Sequence, residues 1–314
     1  MKIFPLLNQE VATTLFLIVC VLIVITLVFG AIFQLKPSKT IKSLLEKTYS
    51  WWIIIVFFVL MTCISKEFFY ISFGLLSFVA YRELISKMDI PLKKRRTLLW
   101  TYCAIPIQFY FAYTENFLLF LTFIPVGMLF FIPFRSILGG DSKDSIRSFS
   151  VLHWGLMLTV FGFSHITYFY SLPEIPDHAA GNLGTLLFLV FLTEVNDVFQ
   201  FICGKLLGRR KIAPDISPNK TTEGFLGGLV LTCFTGYFMQ NLAALNFWQT
   251  LIAALVISIS GFIGDLNMSS IKRDLGIKDM GSLIPGHGGI LDRLDSLLFS
   301  CVTFFYLYYY WIYV

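Results

Sequence analysis

Residues 269–295 read SSIKRDLGIKDMGSLIPGHGGILDRLD. Cations, carboxylates and glycines crowd this stretch, with Lys272, Arg273, Lys278 and Arg293 set among Asp274, Asp279, Asp292 and Asp295. It is flanked by two long apolar runs, Phe247 to Leu266 before it and Leu291 to Val314 at its end. A polar segment held between runs of membrane-crossing length points to polyphosphate chemistry at helix ends against a bilayer, not inside a soluble core.

The rest of the chain agrees. It is 57% hydrophobic and 17% aromatic, with only 14% charged residues, against about 25% charged in an average soluble domain. One soluble core cannot hide that much apolar surface, so lipid is the expected solvent. The net charge of +5 raises nucleic acid as a partner, but the cations gather on no soluble domain, and none is expected. The six cysteines, at 20, 63, 103, 203, 233 and 301, lie in or beside apolar runs without a CxxC pair. They read as buried, inert thiols.

Ten apolar segments can be marked: Val11 to Gln34, Trp51 to Ile64, Phe68 to Leu84, Leu98 to Tyr113, Phe117 to Phe134, Val151 to Leu172, Leu183 to Leu206, Phe225 to Gln240, Phe247 to Leu266 and Leu291 to Val314. The second and eighth are short for a crossing of roughly 20 residues. Val11 to Gln34 lacks the basic start of a signal peptide and reads as a retained helix. With the N-terminus outside, all of the 24 Lys and Arg except Lys2 and Lys66 fall on the cytoplasmic side, as the positive-inside rule demands. The expectation is an all-α polytopic membrane protein of about ten transmembrane helices. Residues 1–314 form one membrane domain, multi-pass in the lipid bilayer. Its cytoplasmic loops are too short for a separate catalytic domain. Lys93-Lys94-Arg95-Arg96 has no glycine or acid nearby and reads as a topology anchor.

Two cytoplasmic regions carry the unusual residues. In 193–224, Glu194, Asn196, Asp197 and Gln200 interrupt an apolar run, and Thr193, Asp197, Gln200 and Gly204 recur at helical spacing as one polar stripe. Intramembrane carboxylates are costly and face a cavity or a partner; a structural ion pair is the plainer alternative. The loop continues through Gly204-Lys205, Ala213-Pro214 and SPNKTTEG at 217–224. Ser217, Asn219, Lys220, Thr221 and Glu223 give it hydroxyls, amides and charges of the kind that grip phosphate oxygens.

In 265–295, Asp265 and Ser269 are one helical turn apart, and Asp292 and Asp295 share a helix face. Carboxylates this close repel unless a cation neutralises them. Oxygen-only donors at Asp265, Asp292 and Asp295 favour Mg²⁺ or Mn²⁺, with room for a second cation. A salt-bridge cluster with Lys272, Arg273 and Arg293 is the alternative, but it leaves the Gly286-His287-Gly288-Gly289 run unexplained. That run brings backbone N–H groups near a helix N-terminus, where anions are favoured. His287 can donate to a phosphate, act as an acid, or only hold the turn. Glu83, next to Arg82, reads as a local ion pair more readily than as a support for the site.

Ser269, Lys272-Arg273, Lys278-Asp279, Gly281, Ile284-Pro285, His287-Gly288-Gly289 and Asp292-Arg293-Leu294-Asp295 together resemble the signature of the CDP-diglyceride synthetases (phosphatidate cytidylyltransferases). The 193–224 loop resembles that family's second segment, with Thr222 where the family usually has Trp. The resemblance implies CTP and phosphatidate as substrates, CDP-diacylglycerol and pyrophosphate as products, a metal pair at Asp265 and Asp292, and a homodimer. Taken together, the two regions put Asp265, Lys272, Asp292 and Asp295 in catalysis as an expectation. Asp197, Ser217, Asn219, Lys220, Thr221, Glu223, Ser269, Arg273, Lys278, His287, Gly288 and Arg293 would contact substrate. Two alternatives stay open. One is a CTP-dependent enzyme on another lipid, such as a polyprenol kinase. The other is a transporter, although transport sites sit near the bilayer midplane and these charges collect at helix ends.

Overall fold

In hydrocarbon each backbone N–H and C=O must find its partner within its own segment, so apolar runs become helices. The computed structural model describes residues 8–90, 95–138, 144–281 and 288–314. Among the described residues ten helical rods follow one another: α1 (Gln9–Leu35), α2 (Lys39–Ile64), α3 (Lys66–Ser86), α4 (Arg95–Tyr113), α5 (Phe117–Ile137), α6 (Ser145–Ser171), α7 (Gly181–Leu207), α8 (Thr222–Phe238), α9 (Phe247–Asp274) and α10 (Leu291–Tyr313). Between α7 and α8 lie β1 (Lys211–Ala213) and β2 (Ser217–Thr221), an antiparallel pair with Lys211 opposite Thr221 and Ala213 opposite Ser217. This hairpin is a small departure from the expected all-helical chain. Wide π turns at Phe123–Met128 and Leu156–Phe161 interrupt α5 and α6 without breaking them.

Polar residues mark the ends. Ser38 accepts the Ile41 N–H at 3.2 Å to start α2. Ser65 closes α2 and accepts the Phe68 N–H at 3.1 Å, so α2 and α3 turn on one residue. Asn246 and Gln249 form a reciprocal capping box on α9.

The rods match the ten apolar segments in order. Seven of them, all but α4, α8 and α10, are long and apolar enough to cross a membrane by length and composition. The chain is an all-α polytopic membrane protein. The count of ten crossings is not met on that criterion alone, because α8 has 17 residues and the tyrosine-rich α4 and α10 fall short in hydropathy. Two boundaries differ most from expectation. α2 begins at Lys39, well before Trp51, and α9 runs on to Asp274, so Ser269, Lys272 and Arg273 are helical instead of lying in a loop.

The core lies where α6, α7 and α10 meet. Phe169 stacks on Phe304 at 5.5 Å between ring centres, and Phe188 leans on the same ring. Leu27, Phe130, Phe234 and Trp248 stay exposed, a surface suited to lipid and too apolar for water. Cys203 and Cys301 are buried as expected, whereas Cys20 and Cys233 are half-buried and Cys103 is exposed; all five are free. The Cys63 side chain lies outside the described set.

Buried hydroxyls and one amide lace α7 to its neighbours. Asn196 Oδ1 accepts from Ser258 at 2.6 Å and Thr232 at 3.1 Å, and Thr193 pairs with Ser300 at 2.8 Å. Such contacts fix register where hydrophobicity cannot distinguish helix from lipid. They set Asp197, one residue beyond Asn196, against α9 and α10.

Candidate active site

Asp265, Ser269 and Lys272 recur on α9 at four- and three-residue steps and so face one way. Ser269 donates to Asp265 Oδ1 at 3.3 Å. From β2, Lys220 reaches Asp265 Oδ2 at 2.6 Å, and its ammonium lies 4.5 Å from the centre of the Phe262 ring. Arg273 Nε donates to the Ile216 carbonyl at 3.2 Å, tying the hairpin to α9.

On α10, Asp292 is bound on three sides. Its Oδ1 accepts from Lys272 at 2.9 Å, and its Oδ2 accepts the N–H groups of Met280 at 2.7 Å and Gly289 at 3.0 Å. Gly288 sits at φ +82, with its backbone against the Asp292 carboxylate. Glu83, 7% exposed, reaches over from α3. Its two oxygens accept the Ile290 N–H at 3.1 Å and the Leu291 N–H at 2.9 Å. A Cβ on Gly289 would come within 2.5 Å of that carboxylate. Glu83 is therefore not a local ion pair; it caps α10 across the fold. The N-terminal N–H groups expected to cradle phosphate are taken by two carboxylates of the chain itself.

These elements enclose a cavity of about 410 Å³. Glu194, Asp197, Asp265, Asp279, Asp292 and Asp295 line it, against the cations Lys220, Lys272 and Arg293, with Ser217, Asn219 and Thr221 at its edge. Asp295 is buried beside Asp197 and Asp265, and Ser296 donates to Asp197 Oδ2 at 2.8 Å. The Gln200 amide nitrogen on the wall is buried without a hydrogen-bond partner, whereas the buried Lys220 ammonium has Asp265 as its ion-pair partner. An unmet donor of this kind suits an anionic guest.

Other expected contacts stand elsewhere. Glu223 turns from the cavity to accept the N–H groups of Arg209 at 2.9 Å and Arg210 at 3.1 Å, and these bonds hold its carboxyl below the usual range. Ser269 is bonded to Asp265 and Arg273 to the hairpin, neither lining the cavity, and Lys278 is exposed away from the wall. His287 lies outside the described residues, as do Lys93 and Lys94. Sequence reasoning missed Asp279, Trp51, Phe225 and Phe262 as wall residues. The aromatics looked like ordinary membrane-facing side chains.

The donor chemistry fits a hard divalent cation. The donors are oxygens, and carboxylates outnumber cations two to one on the wall. Among the described residues no group of three such side chains is arranged to hold a metal by itself. Mg²⁺ is commonly held by one or two carboxylates, with substrate phosphates completing its shell.

The sequence model of the Cytidylyltransferase family matches residues 45–311, most of the chain. The chain belongs to the cytidylyltransferase family. Such a cytidylyltransferase is a nucleotidyltransferase enzyme, and the match takes in both polar regions. It leaves out α1 and the first residues of α2. An uncharacterised protein of Escherichia coli (strain K12), YnbB, is 36% identical over 286 residues, 91% of this chain and 94% of that protein. A phosphatidate cytidylyltransferase of Staphylococcus epidermidis is 44% identical over 116 residues, and one of Staphylococcus aureus is 41% identical over the same length. Each of these alignments spans 36% of this chain and 45% of the relative.

Proposed function

We propose that this cytidylyltransferase joins phosphatidate to CTP, giving CDP-diacylglycerol and pyrophosphate. The observation that carries the reading is the acid-rich cavity whose walls join both polar regions at the ends of membrane helices. A lipid phosphate oxygen attacks the α-phosphorus of CTP, the new P–O bond forms, and the α–β bond breaks to release pyrophosphate. Charge repulsion between two anions is the main obstacle, so neutralisation and alignment supply most of the catalysis. Lys220, Lys272 and Arg293 neutralise phosphate oxygens; Ser217, Asn219 and Thr221 donate hydrogen bonds to them. Asp292 fixes Lys272 and draws the 280 and 289 backbones together around the site.

Mg²⁺ or Mn²⁺, one ion or two, held by Asp265, Asp292 and Asp295, would offset the charge of the reacting phosphates. The cation-rich ends support cytoplasmic site loops. The reading extends to a homodimer. Purified protein in detergent with phosphatidate and labelled CTP tests it by chromatography. A CDP-lipid with equimolar pyrophosphate is expected. A phosphorylated lipid with free CDP would make it a kinase, and no CTP turnover without a sealed vesicle would favour a transporter.

A further inference from the structure

A second cavity, about 580 Å³ and mostly apolar in its lining, runs between α1, α2, α7 and α8. Val21 and Ile25 of α1, Ile202 of α7 and Thr235 of α8 are among its lining residues. Trp51 and Val198 belong to its wall and also to the wall of the acidic cavity. Trp51 is held edge-on against Phe191 at 5.4 Å. The two spaces thus share a partition, charged on one side and apolar on the other.

The geometry points to this groove as the seat of one acyl chain of the lipid substrate, a reading that rests on the proposed function. Three observations single it out among the apolar surfaces of the protein. First, it alone among the described cavities shares Trp51 and Val198 with the acidic cavity while offering a mainly apolar wall of useful size. Second, its α1 wall extends from Glu10 to Phe29, roughly 28 Å of helix, against the ~15 Å of hydrocarbon in one leaflet. An extended chain fits along it. Third, α1 is a lightly packed outer wall: Val11, Leu15, Ile18 and Leu22 are its buried residues, and it lies outside the stretch matched by the family. A wall added beside the shared machinery can select lipids without altering the chemistry.

Val21 is 56% exposed, so a larger side chain there narrows the groove without entering the packed core. Val21→Trp is tested in the purified full chain with dioctanoyl and dipalmitoyl phosphatidate. Each methylene kept out of an apolar seat weakens binding about fourfold, so the kcat/KM ratio of long to short lipid should fall by about tenfold or more, with the KM for CTP unchanged. Equal loss for both lengths, or no loss, overturns the proposal.

A second measurement does not depend on turnover. Phosphatidate with a diazirine at the far end of one acyl chain should label α1 and α8 at the groove. Excess unlabelled phosphatidate should suppress that labelling, phosphatidylcholine should not, and Val21→Trp should reduce it. Labelling equally suppressed by phosphatidylcholine, or spread over the lipid-facing surface, means bulk lipid only and overturns the proposal. Disulfide-linked dimers of Val21→Cys, formed across the groove, would assign it to a second copy and overturn it also. If the native protein forms no CDP-lipid while the groove is labelled as expected, the reaction is wrong and the chain seat stands.

Discussion

Replacing Glu83 by glutamine keeps the size of the side chain and removes one acceptor. In the native protein both carboxylate oxygens accept backbone N–H groups, from Ile290 at 3.1 Å and Leu291 at 2.9 Å, in a site where Glu83 is 7% exposed. In Glu83→Gln the amide oxygen satisfies one donor, and the new NH₂ faces the other. One buried N–H is then left without a partner, at about 1–3 kcal/mol. Loss of the negative charge at the α10 N-terminus removes a further ~0.3–1 kcal/mol. The combined cost is about 1.3–4 kcal/mol, concentrated where α10 meets Gly289. Because Asp292 binds the Gly289 N–H, loosening this joint should also lower kcat. Thermal unfolding in detergent, hydrogen exchange at residues 288–292 and CTP turnover read these effects together. A double-mutant cycle with Gly289→Ala adds a check, since that methyl group meets the Glu83 carboxylate. The Gly289→Ala penalty should shrink in a Glu83→Ala background. Native stability and native turnover in Glu83→Gln would refute the cap.

Asp292→Asn should abolish measurable turnover and also lower stability by about 1–3 kcal/mol, because its carboxylate serves two backbone N–H groups as well as Lys272; unfolding and kcat measured on the same preparation check both parts. Chelation should stop the reaction and added Mg²⁺ or Mn²⁺ restore it, read as pyrophosphate release; turnover unaffected by a chelator would refute the cation requirement. The Glu223 carboxyl is held below the ordinary 4.5, chiefly by the Arg209 N–H, so its hold on the hairpin is complete above that value and fails as pH falls through the lowered one. The amide shifts of Arg209 and Arg210 should titrate together with a midpoint below 4.5, and a midpoint at or above it would refute the assignment.

The helices were legible because lipid imposes a simple rule on apolar runs, and the ten segments reappear in order. Their charged extensions were not. Lys39, Lys42 and Lys47 hid the start of α2, and Lys272 with Arg273 made the end of α9 read as loop, because burial pattern stops reporting on a helix once it leaves hydrocarbon. The convergence of Asp197, Lys220, Asp265, Lys272, Asp292, Arg293 and Asp295 on one cavity follows the two motifs closely. The direction of Glu223 was beyond local reasoning, since the Arg209 and Arg210 amides compete for the same carboxylate. Glu83 was harder still. Its partners are 207 and 208 residues away, and nothing beside Arg82 announces them.

That separation bears on how the protein is made. Translation proceeds from the N-terminus, so α3 is synthesised long before the backbone donors that will hold its carboxylate exist. A carboxylate without partners is costly to keep at a lipid-facing or buried position, and α3 must wait in a half-satisfied state, near the interface, until α10 arrives. The arrival of α10 is therefore also the event that settles α3. A ribosome stalled between them leaves a chain carrying an unsatisfied acid, a feature by which unfinished copies differ from finished ones before any catalysis is possible.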